Sequence, residues 1–322
     1  MYQHFYGLQA LPFELTPNPK YLLLTPTHRE ALHMLEYGVG ARKGIILLIG
    51  DAGTGKTTLL RRALALRLEQ NGAAGADCIY IKNPRLAPRE LYEHLGTGLS
   101  LRTPATASRP AFLRELEDVL VASAASRRAT ALIVDEAQAL SDEILEELRL
   151  LANIESDDIK LLPLVLAGQP ELAERLNHPD LRQFKQRIAL RCRLNAFNLQ
   201  DTGAYIFGRL RLVGGDASKL FTREAVVAIH HASHGIPRTI SVICDNALLT
   251  GYALQRRLID AAIIDEVCAD FDLLTADGTG RRTDITNDDN NVADAMRVRR
   301  DAGSPADAVR LGVGVHVSRS AV

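Results

Sequence analysis

Cysteine is scarce and unpatterned in this 322-residue chain. Cys78, Cys192, Cys244 and Cys268 stand far apart, and no C-x-x-C occurs. A disulfide framework or a cysteine metal site is therefore not expected, and reduced thiols of a cytosolic protein are the reading. No apolar run approaches the ~18–20 residues of a membrane helix. The opening Met1-Tyr2-Gln3-His4-Phe5-Tyr6 lacks a basic stretch and an apolar core, so it does not read as a signal peptide. An excess of one charge is missing too. With 38 Lys and Arg against 39 Asp and Glu, the net charge of −1 draws the chain globally toward neither nucleic acid nor anionic membrane. A local basic patch stays open. There is no G-x-S-x-G nucleophile turn and no internal repeat. What remains, 47% hydrophobic and 24% charged, has the make-up of an ordinary soluble globular protein. Its length suits one large domain or two smaller ones.

Residues 1–44 carry Pro12, Pro17, Pro19 and Pro26, then a short helix with Leu32, Leu35 and Tyr37. Thr27 and Glu30 have capping-box spacing at its start. Residues 45–195 alternate apolar strands, near 45–49, 78–81, 129–134, 161–167 and 188–194, with amphipathic helices. That alternation predicts a parallel sheet covered by helices on both faces. Residues 196–271 show helical patterns near 200–213, 222–234, 237–255 and 260–271 with no strand between them, a small helical domain. Pro237 suits a first helical turn. Residues 272–322 contain no Phe, Tyr or Trp and read as a disordered polar tail.

The chemistry begins at Gly50-Asp51-Ala52-Gly53-Thr54-Gly55-Lys56-Thr57-Thr58, directly after the first apolar strand and at the start of a helix. That context separates a phosphate-binding P-loop from a glycine-rich turn. The glycines let backbone N–H groups turn inward with no Cβ in the way, and the helix N-terminus adds partial positive charge. Lys56 is then expected to reach the β- and γ-phosphates, and the Thr57 hydroxyl to ligate Mg²⁺. Some 80 residues on, Ala131-Leu132-Ile133-Val134-Asp135-Glu136 sets two carboxylates at the C-terminal end of a buried strand, where open parallel sheets bind ligands. Asp135 suits the metal's water shell, and Glu136 suits polarising a water that attacks phosphorus. A strand that merely ends in an acidic turn is the plainer reading, and the P-loop upstream outweighs it.

Two arginines add to this. Arg187 opens the last core strand, inside a stretch from Arg182 to Arg193 with five basic residues and no acid. It reads either as part of a solvated basic face or as an arginine finger for a neighbouring subunit. Arg238, in Gly235-Ile236-Pro237-Arg238, reads either as a helix-surface residue or as a group that reaches the γ-phosphate. Residues 141–158 hold seven acids and one arginine, a wet helix face or a complement to a neighbour's basic strip, with the first favoured. His230 and His234 have i, i+4 spacing, but no third ligand is evident and no transition-metal site is expected.

In combination these motifs resemble an AAA+ ATPase of the general secretion pathway protein A branch, which includes the pilus-biogenesis ATPase MshM and exosortase-associated ATPases. The residues that carry the resemblance go beyond the P-loop. They include Phe5-Tyr6-Gly7-Leu8, Pro12-Phe13, Leu15-Thr16-Pro17-Asn18-Pro19 and His28-Arg29-Glu30-Ala31-Leu32. They also include Asp135-Glu136-Ala137-Gln138, Leu145-Glu146-Glu147-Leu148-Arg149-Leu150-Leu151, Ala167-Gly168-Gln169-Pro170-Glu171-Leu172 and the segment from Leu181 to Ile188. The resemblance covers residues 1–270. It implies ATP with Mg²⁺, Lys56 and Thr57 as the Walker A pair, and Asp135 and Glu136 as the Walker B pair. It further implies Arg187 as the arginine finger, Arg238 as the sensor-2 arginine, and Gln169 at the sensor-1 position, where many relatives carry Asn, Thr or Ser. A five-stranded sheet in the order 5-1-4-3-2, a segment 1–44 packed on the nucleotide site, a helical lid and a homo-oligomeric ring such as a hexamer also follow from it. So do ATP hydrolysis for an envelope secretion, pilus or polysaccharide-export machine and a cytoplasmic location, peripheral to the inner membrane through a partner. Full-length secretion protein A continues into a membrane span and a peptidoglycan-binding domain. Neither is expected here, and a form like MshM fits the length better. Two alternatives stay open. One is a DNA-binding regulator of transposition of the TniB/TnsC type, its 182–193 strip lining a ring around DNA. The other is a nucleotide-gated scaffold that scarcely hydrolyses ATP.

Overall fold

Every residue of the strand Ile45–Gly50 (β1) is buried, because each is apolar or glycine and both faces of the sheet around it are covered. The computed structural model describes residues 1–15, 23–71, 78–82, 84–104, 108–126, 128–156 and 159–273. The other core strands are Cys78–Ile81 (β2), Ala131–Val134 (β3), Leu164–Gly168 (β4) and Ile188–Leu194 (β5). They form one parallel sheet in the order β2-β3-β4-β1-β5. The expected order therefore holds.

The period-2 alternation of a strand sorts the side chains onto two faces. Ile45, Leu47 and Ile49 join Leu132, Val134, Leu164 and Leu166 on one face, packed with Leu91, Leu116, Leu145 and Leu148 from helices. Ile46 and Leu48 join Ile133, Val165 and Cys192 on the other, packed with Leu32, Leu35, Leu59 and Leu60. Edge strand β5 departs from the expected double cover. Its Cys192 and Leu194 are buried, but Ala189, Arg191 and Arg193 are exposed, so one face of this strand is polar.

Helix Pro26–Gly40 starts earlier than the Thr27–Glu30 spacing suggests. Its cap is Thr25, whose hydroxyl accepts from His28 N at 3.3 Å, with Pro26 at the first helical position. Proline is favoured there because its missing N–H is not needed, and that shifts the start. The acidic stretch after Ser141 divides into helix Asp142–Leu151 and a short antiparallel ribbon of Glu155–Ser156 with Ile159–Lys160, which the helical spacing did not foretell. Four of its acids have partners within the chain. Asp142 pairs with Arg175, Glu146 with Arg149 at 2.6 Å, and Glu155 with Lys160. Glu147 Oε2 accepts from Tyr92 OH at 2.6 Å and from Arg109, while Arg109 also donates to Tyr92 OH at 3.0 Å. This joins three helices, Pro88–Gly98, Arg109–Ala125 and Asp142–Leu151. Burial and the Glu147 bond push the Tyr92 hydroxyl up to about 12.

The chain divides into two compact units. Among the described residues, one unit is Phe13–Ala196 with Ile236–Val242; the other is Met1–Pro12, Phe197–Gly235 and residues 243–273. The first twelve residues thus belong with the helical unit, not with residues 13–44. Aromatic contacts explain it. Tyr2 OH donates to Asp245, Tyr6 OH donates to Arg256 O at 3.0 Å, and Phe5 packs edge-on to Tyr252 with ring centroids 5.5 Å apart.

Helices Leu199–Leu212, Arg223–Ser233 and Ala261–Asp270 of the helical unit start at Asn198, Thr222 and Asp260, each accepting a backbone N–H. Gly235 must be glycine. Its φ is +70°, and a Cβ there would lie 2.0 Å from Phe197 O. His230 Nδ1 is 3.0 Å from the Thr202 hydroxyl, and His234 caps its helix in a left-handed conformation. Among the described residues no group of three His, Cys, Asp or Glu could hold a metal ion, and no helix is long and apolar enough to cross a membrane. The tail expected over 272–322 lies, from residue 274 on, outside the described residues.

Glu147→Ala leaves the Tyr92 hydroxyl without its carboxylate acceptor and should cost about 1–3 kcal/mol in urea denaturation. Glu147→Gln, which keeps an acceptor oxygen, should lose less. Equal losses for the two would show that the bond contributes nothing.

Candidate nucleotide-binding site

β1 delivers the chain to Gly50, and the helix Lys56–Asn71 opens six residues later. The loop between them is held from inside. Thr54, fully buried, donates its hydroxyl to Asp51 O at 2.8 Å. His28 Nε2 lies 3.1 Å from Thr54 O and Nδ1 lies 2.7 Å from the Thr25 hydroxyl. A carbonyl can only accept, so Nε2 carries the proton, and in the neutral ring Nδ1 accepts from Thr25. His28 therefore buttresses the loop from helix Pro26–Gly40. The sequence offered it only as part of a family motif.

Gly53 has φ +84°, and a Cβ on it would lie 2.8 Å from Arg238 Cβ and 3.0 Å from Ile236 Cγ2. Arg238 N donates to Gly53 O at 3.3 Å. The residues 236–238 thus lie against the loop, which is why this short stretch belongs with the sheet unit. The arginine side chain itself is exposed.

The first intrahelical bond after the loop is Leu59 N to Gly55 O at 2.9 Å. The N–H groups of Lys56, Thr57 and Thr58 precede it and have no helical acceptor, which is the arrangement that suits an anion. Lys56 is buried and donates to Gly50 O at 2.7 Å and Asp51 O at 2.9 Å. An ammonium has three N–H donors, so a third can serve a phosphate oxygen. Burial holds Lys56 below the ordinary lysine range, opposed by the charges of Glu136, Asp135, Asp51 and Glu171. Those carboxylates help keep it an ammonium.

Asp135 is 4% exposed and fully engaged. Its Oδ2 accepts from Thr57 Oγ1 at 2.6 Å and Tyr80 OH at 2.7 Å, and its Oδ1 accepts from Glu136 N at 3.0 Å. Thr57 and Asp135, 78 residues apart, thus present oxygens side by side, a hard-donor set of the kind Mg²⁺ takes alongside phosphate. Tyr80 was not singled out from the sequence. It reaches Asp135 because β2 pairs with β3 in the register Tyr80–Ile133 and Ile81–Val134. Burial first, and the Asp135 bond second, raise its hydroxyl well above the tyrosine range.

Glu136 sits in the left-handed region at φ +53°, which costs a non-glycine residue about 1–3 kcal/mol and is found where function requires it. Gln138 Nε2 donates to Glu136 Oε2 at 2.6 Å, and Gln138 Oε1 accepts from Gln169 N at 3.2 Å. Gln169 follows the end of β4, whose Gly168 pairs with Ile49 of β1, so it lies at the same sheet edge as the loop.

Residues 50–58, Asp135, Glu136, Gln169 and the backbone of Arg238 are therefore gathered at one edge. Arg187 is not. It precedes Ile188, which pairs with Ile45 at the opposite end of β1. Five residues separate Ile45 from Gly50, about 17 Å of strand.

A family model described as "AAA domain" matches residues 40–176. These residues are an AAA domain with the P-loop NTPase fold. The matched range takes in the loop, Asp135, Glu136 and Gln169, and ends before Arg187 and Arg238. Over 253 residues this AAA-domain chain is 42% identical to general secretion pathway protein A of Aeromonas hydrophila, covering 79% of this chain and 45% of that protein. It thus spans just under half the length of that relative. Two solved structures share the fold at low identity. The Aeropyrum pernix ORC2 protein, solved as ADPNP–ADP complexes, is 16% identical, with a TM-score of 0.61 over 81% of this chain and 72% of that one. Cdc6p from Pyrobaculum aerophilum is 20% identical, with a TM-score of 0.62 over 80% of this chain and 70% of that one.

Tyr80→Phe keeps the ring and removes one of the donors that orient Asp135. Loss of such an outer partner typically weakens a metal site about 10–100-fold. The Mg²⁺ concentration needed for half-maximal nucleotide binding should rise accordingly, while binding without Mg²⁺ stays unchanged. An unaltered Mg²⁺ requirement would remove Tyr80 from the site.

Proposed function

We propose that this chain binds ATP with Mg²⁺ at the edge described above and hydrolyses it to ADP and phosphate. The observation that carries the reading is the meeting of Thr57 with Asp135 at the mouth of a helix N-terminus, beside buried Lys56 and Glu136. In this reading the loop amides, Lys56 and the first-turn N–H groups hold the triphosphate. Thr57 and Asp135 would hold Mg²⁺, which when bound neutralises charge on the β- and γ-phosphates. Glu136 polarises the attacking water and accepts its proton as the bond from the γ-phosphorus to the bridging oxygen breaks. Arg238 faces the γ-phosphate side, and Gln169 lies at the sensor-1 position. Arg187 serves a neighbouring copy's site, in a homo-oligomeric ring.

The 42% identity to general secretion pathway protein A supports a role for this ATPase in assembling or remodelling an envelope secretion or pilus machine. That role carries a cytoplasmic location, at the inner membrane through a partner. The exposed Arg191 and Arg193 of β5 give specific ground for a second reading, ATP-dependent holding of DNA. Duplex binding that requires ATP and falls steeply between two salt concentrations would favour it.

Lys56→Ala should abolish ATP binding in calorimetry with Mg²⁺, and Glu136→Gln should bind ATP while turnover falls about 10²–10⁴-fold. Wild-type affinity in the first or wild-type turnover in the second would refute the assigned role. A wild-type chain that binds ATP but turns over no faster than Glu136→Gln is instead a nucleotide-gated scaffold.

Arg187→Ala should bind ATP normally yet lose turnover by about 10³-fold or more at concentrations where the chain self-associates. Normal turnover per subunit under those conditions would exclude the finger.

A further inference from the structure

Gln138 bridges the Glu136 carboxylate and the backbone just beyond β4. The polarity of its contacts leaves no choice of amide orientation. The backbone N–H of Gln169 can only donate, so the atom 3.2 Å away is the amide oxygen. The nitrogen then faces Glu136 Oε2 at 2.6 Å, and an ionised carboxylate can only accept. Both ends of the amide are used, one on the carboxylate and one on the backbone beyond β4.

The surroundings hold Gln138 in place. It lies in the short 3-10 turn Ala137–Ala139, closed by Ala139 N donating to Glu136 O at 3.0 Å, with Ala137 fully buried beneath it. Arg175 Nη1 donates to Leu140 O at 2.5 Å, just past the turn. Gly168 makes room for it: a Cβ there would lie 3.2 Å from Gln138 Oε1 and 2.6 Å from Leu172 Cδ2. The last residue of the strand is small where the amide approaches.

A glutamate has three side-chain torsions. A donor fixed on one carboxylate oxygen selects among them and leaves the other oxygen to face water. We propose that Gln138 is the positioning residue for Glu136 and couples it to the end of β4, so that Gln138 governs turnover but not ATP affinity. The coupling runs through the backbone N–H of Gln169, so the glutamine at the sensor-1 position needs no side-chain contact to take part. This rests on the reading of Glu136 as the group that polarises water.

The test uses the full chain and three variants. Gln138→Leu removes both hydrogen bonds at similar volume. Its kcat should fall about 100-fold, the scale of a misplaced catalytic group, with the KM for ATP, ATP affinity and Tm unchanged. Gln138→Glu keeps an acceptor for Gln169 N but offers Glu136 a carboxylate in place of a donor. Its kcat should therefore fall as that of Gln138→Leu does, with ATP affinity unchanged, and a kcat near wild type would overturn the positioning role. Glu136→Gln is the reference. If it is inactive while both Gln138 variants turn over normally, the positioning role is wrong and the role of Glu136 stands. If Glu136→Gln is itself as active as wild type, the parent reading fails first. A fall in ATP affinity matching the fall in kcat also overturns the proposal.

Discussion

The Thr57 hydroxyl and Asp135 Oδ2 meet at 2.6 Å although their strands are not neighbours. β4 lies between β1 and β3, and it sets both registers at once. Leu164 pairs with Ile45 on one side and with Leu132 on the other, and Leu166 pairs with Leu47 and Val134. Asp135 therefore emerges level with Leu48, two residues short of Gly50, and the first turn of the following helix brings Thr57 back over it. A slip of one residue in either pairing would turn Asp135 toward the opposite face. The apolar alternation that buries Ile46, Leu48, Ile133 and Val165 on one side and Leu47, Val134 and Leu166 on the other is what forbids that slip. The geometry of the site is thus an outcome of core packing.

The same edge gathers polar groups in a place where each would be costly alone. Lys56, Asp135, Thr54 and His28 are all at most 5% exposed. An unpaired charge buried there would cost several kcal/mol, and breaking a buried pair is worse than never having had it. Each is answered. Lys56 has two carbonyls, Asp135 has three donors, Thr54 has Asp51 O and His28, and His28 has Thr25 and Thr54. This network leaves the loop shape to backbone and side chains of the protein itself, as preorganised binding of a triphosphate requires.

Much of this was legible in the sequence where the signal is local. The strand, glycine loop, lysine and helix follow one another within a dozen residues, and Asp135 and Glu136 end a visibly apolar strand. The strand order came from resemblance, because periodicity says nothing about which strands pair. Tyr80 escaped notice since Cys78-Ile79-Tyr80-Ile81 reads as a plain buried strand; only the pairing with Ile133 aims its hydroxyl at Asp135. Gln138 stands out in the sequence only as part of a family motif, because its two partners lie on opposite sides of it in the chain, at residues 136 and 169. The acids after Ser141 form the wet face that their pattern favours, with Asp142, Glu146 and Glu155 more than half exposed; what the pattern does not show is their partners within the chain, at Arg175, Arg149 and Lys160. Tyr2 and Tyr6 likewise find their acceptors some 250 residues away, at Asp245 and Arg256, which no local pattern announces.

Arg187 poses the remaining physical question of who completes the site. In a parallel sheet every strand runs the same way, so a residue that opens β5 and a loop that closes β1 stand at opposite edges by construction. Their separation along the strands is longer than any side chain, and the interior between them is filled with Ile, Leu and Val. No rotamer change within one copy can bring that guanidinium to its own chain's loop. The proposed finger role therefore demands a second copy, set so that the N-terminal edge of one sheet faces the C-terminal edge of the next. That is a head-to-tail contact, and repeated head-to-tail contacts close into rings when the rotation between copies allows it. Ring assembly and the finger thus stand or fall as one geometric claim.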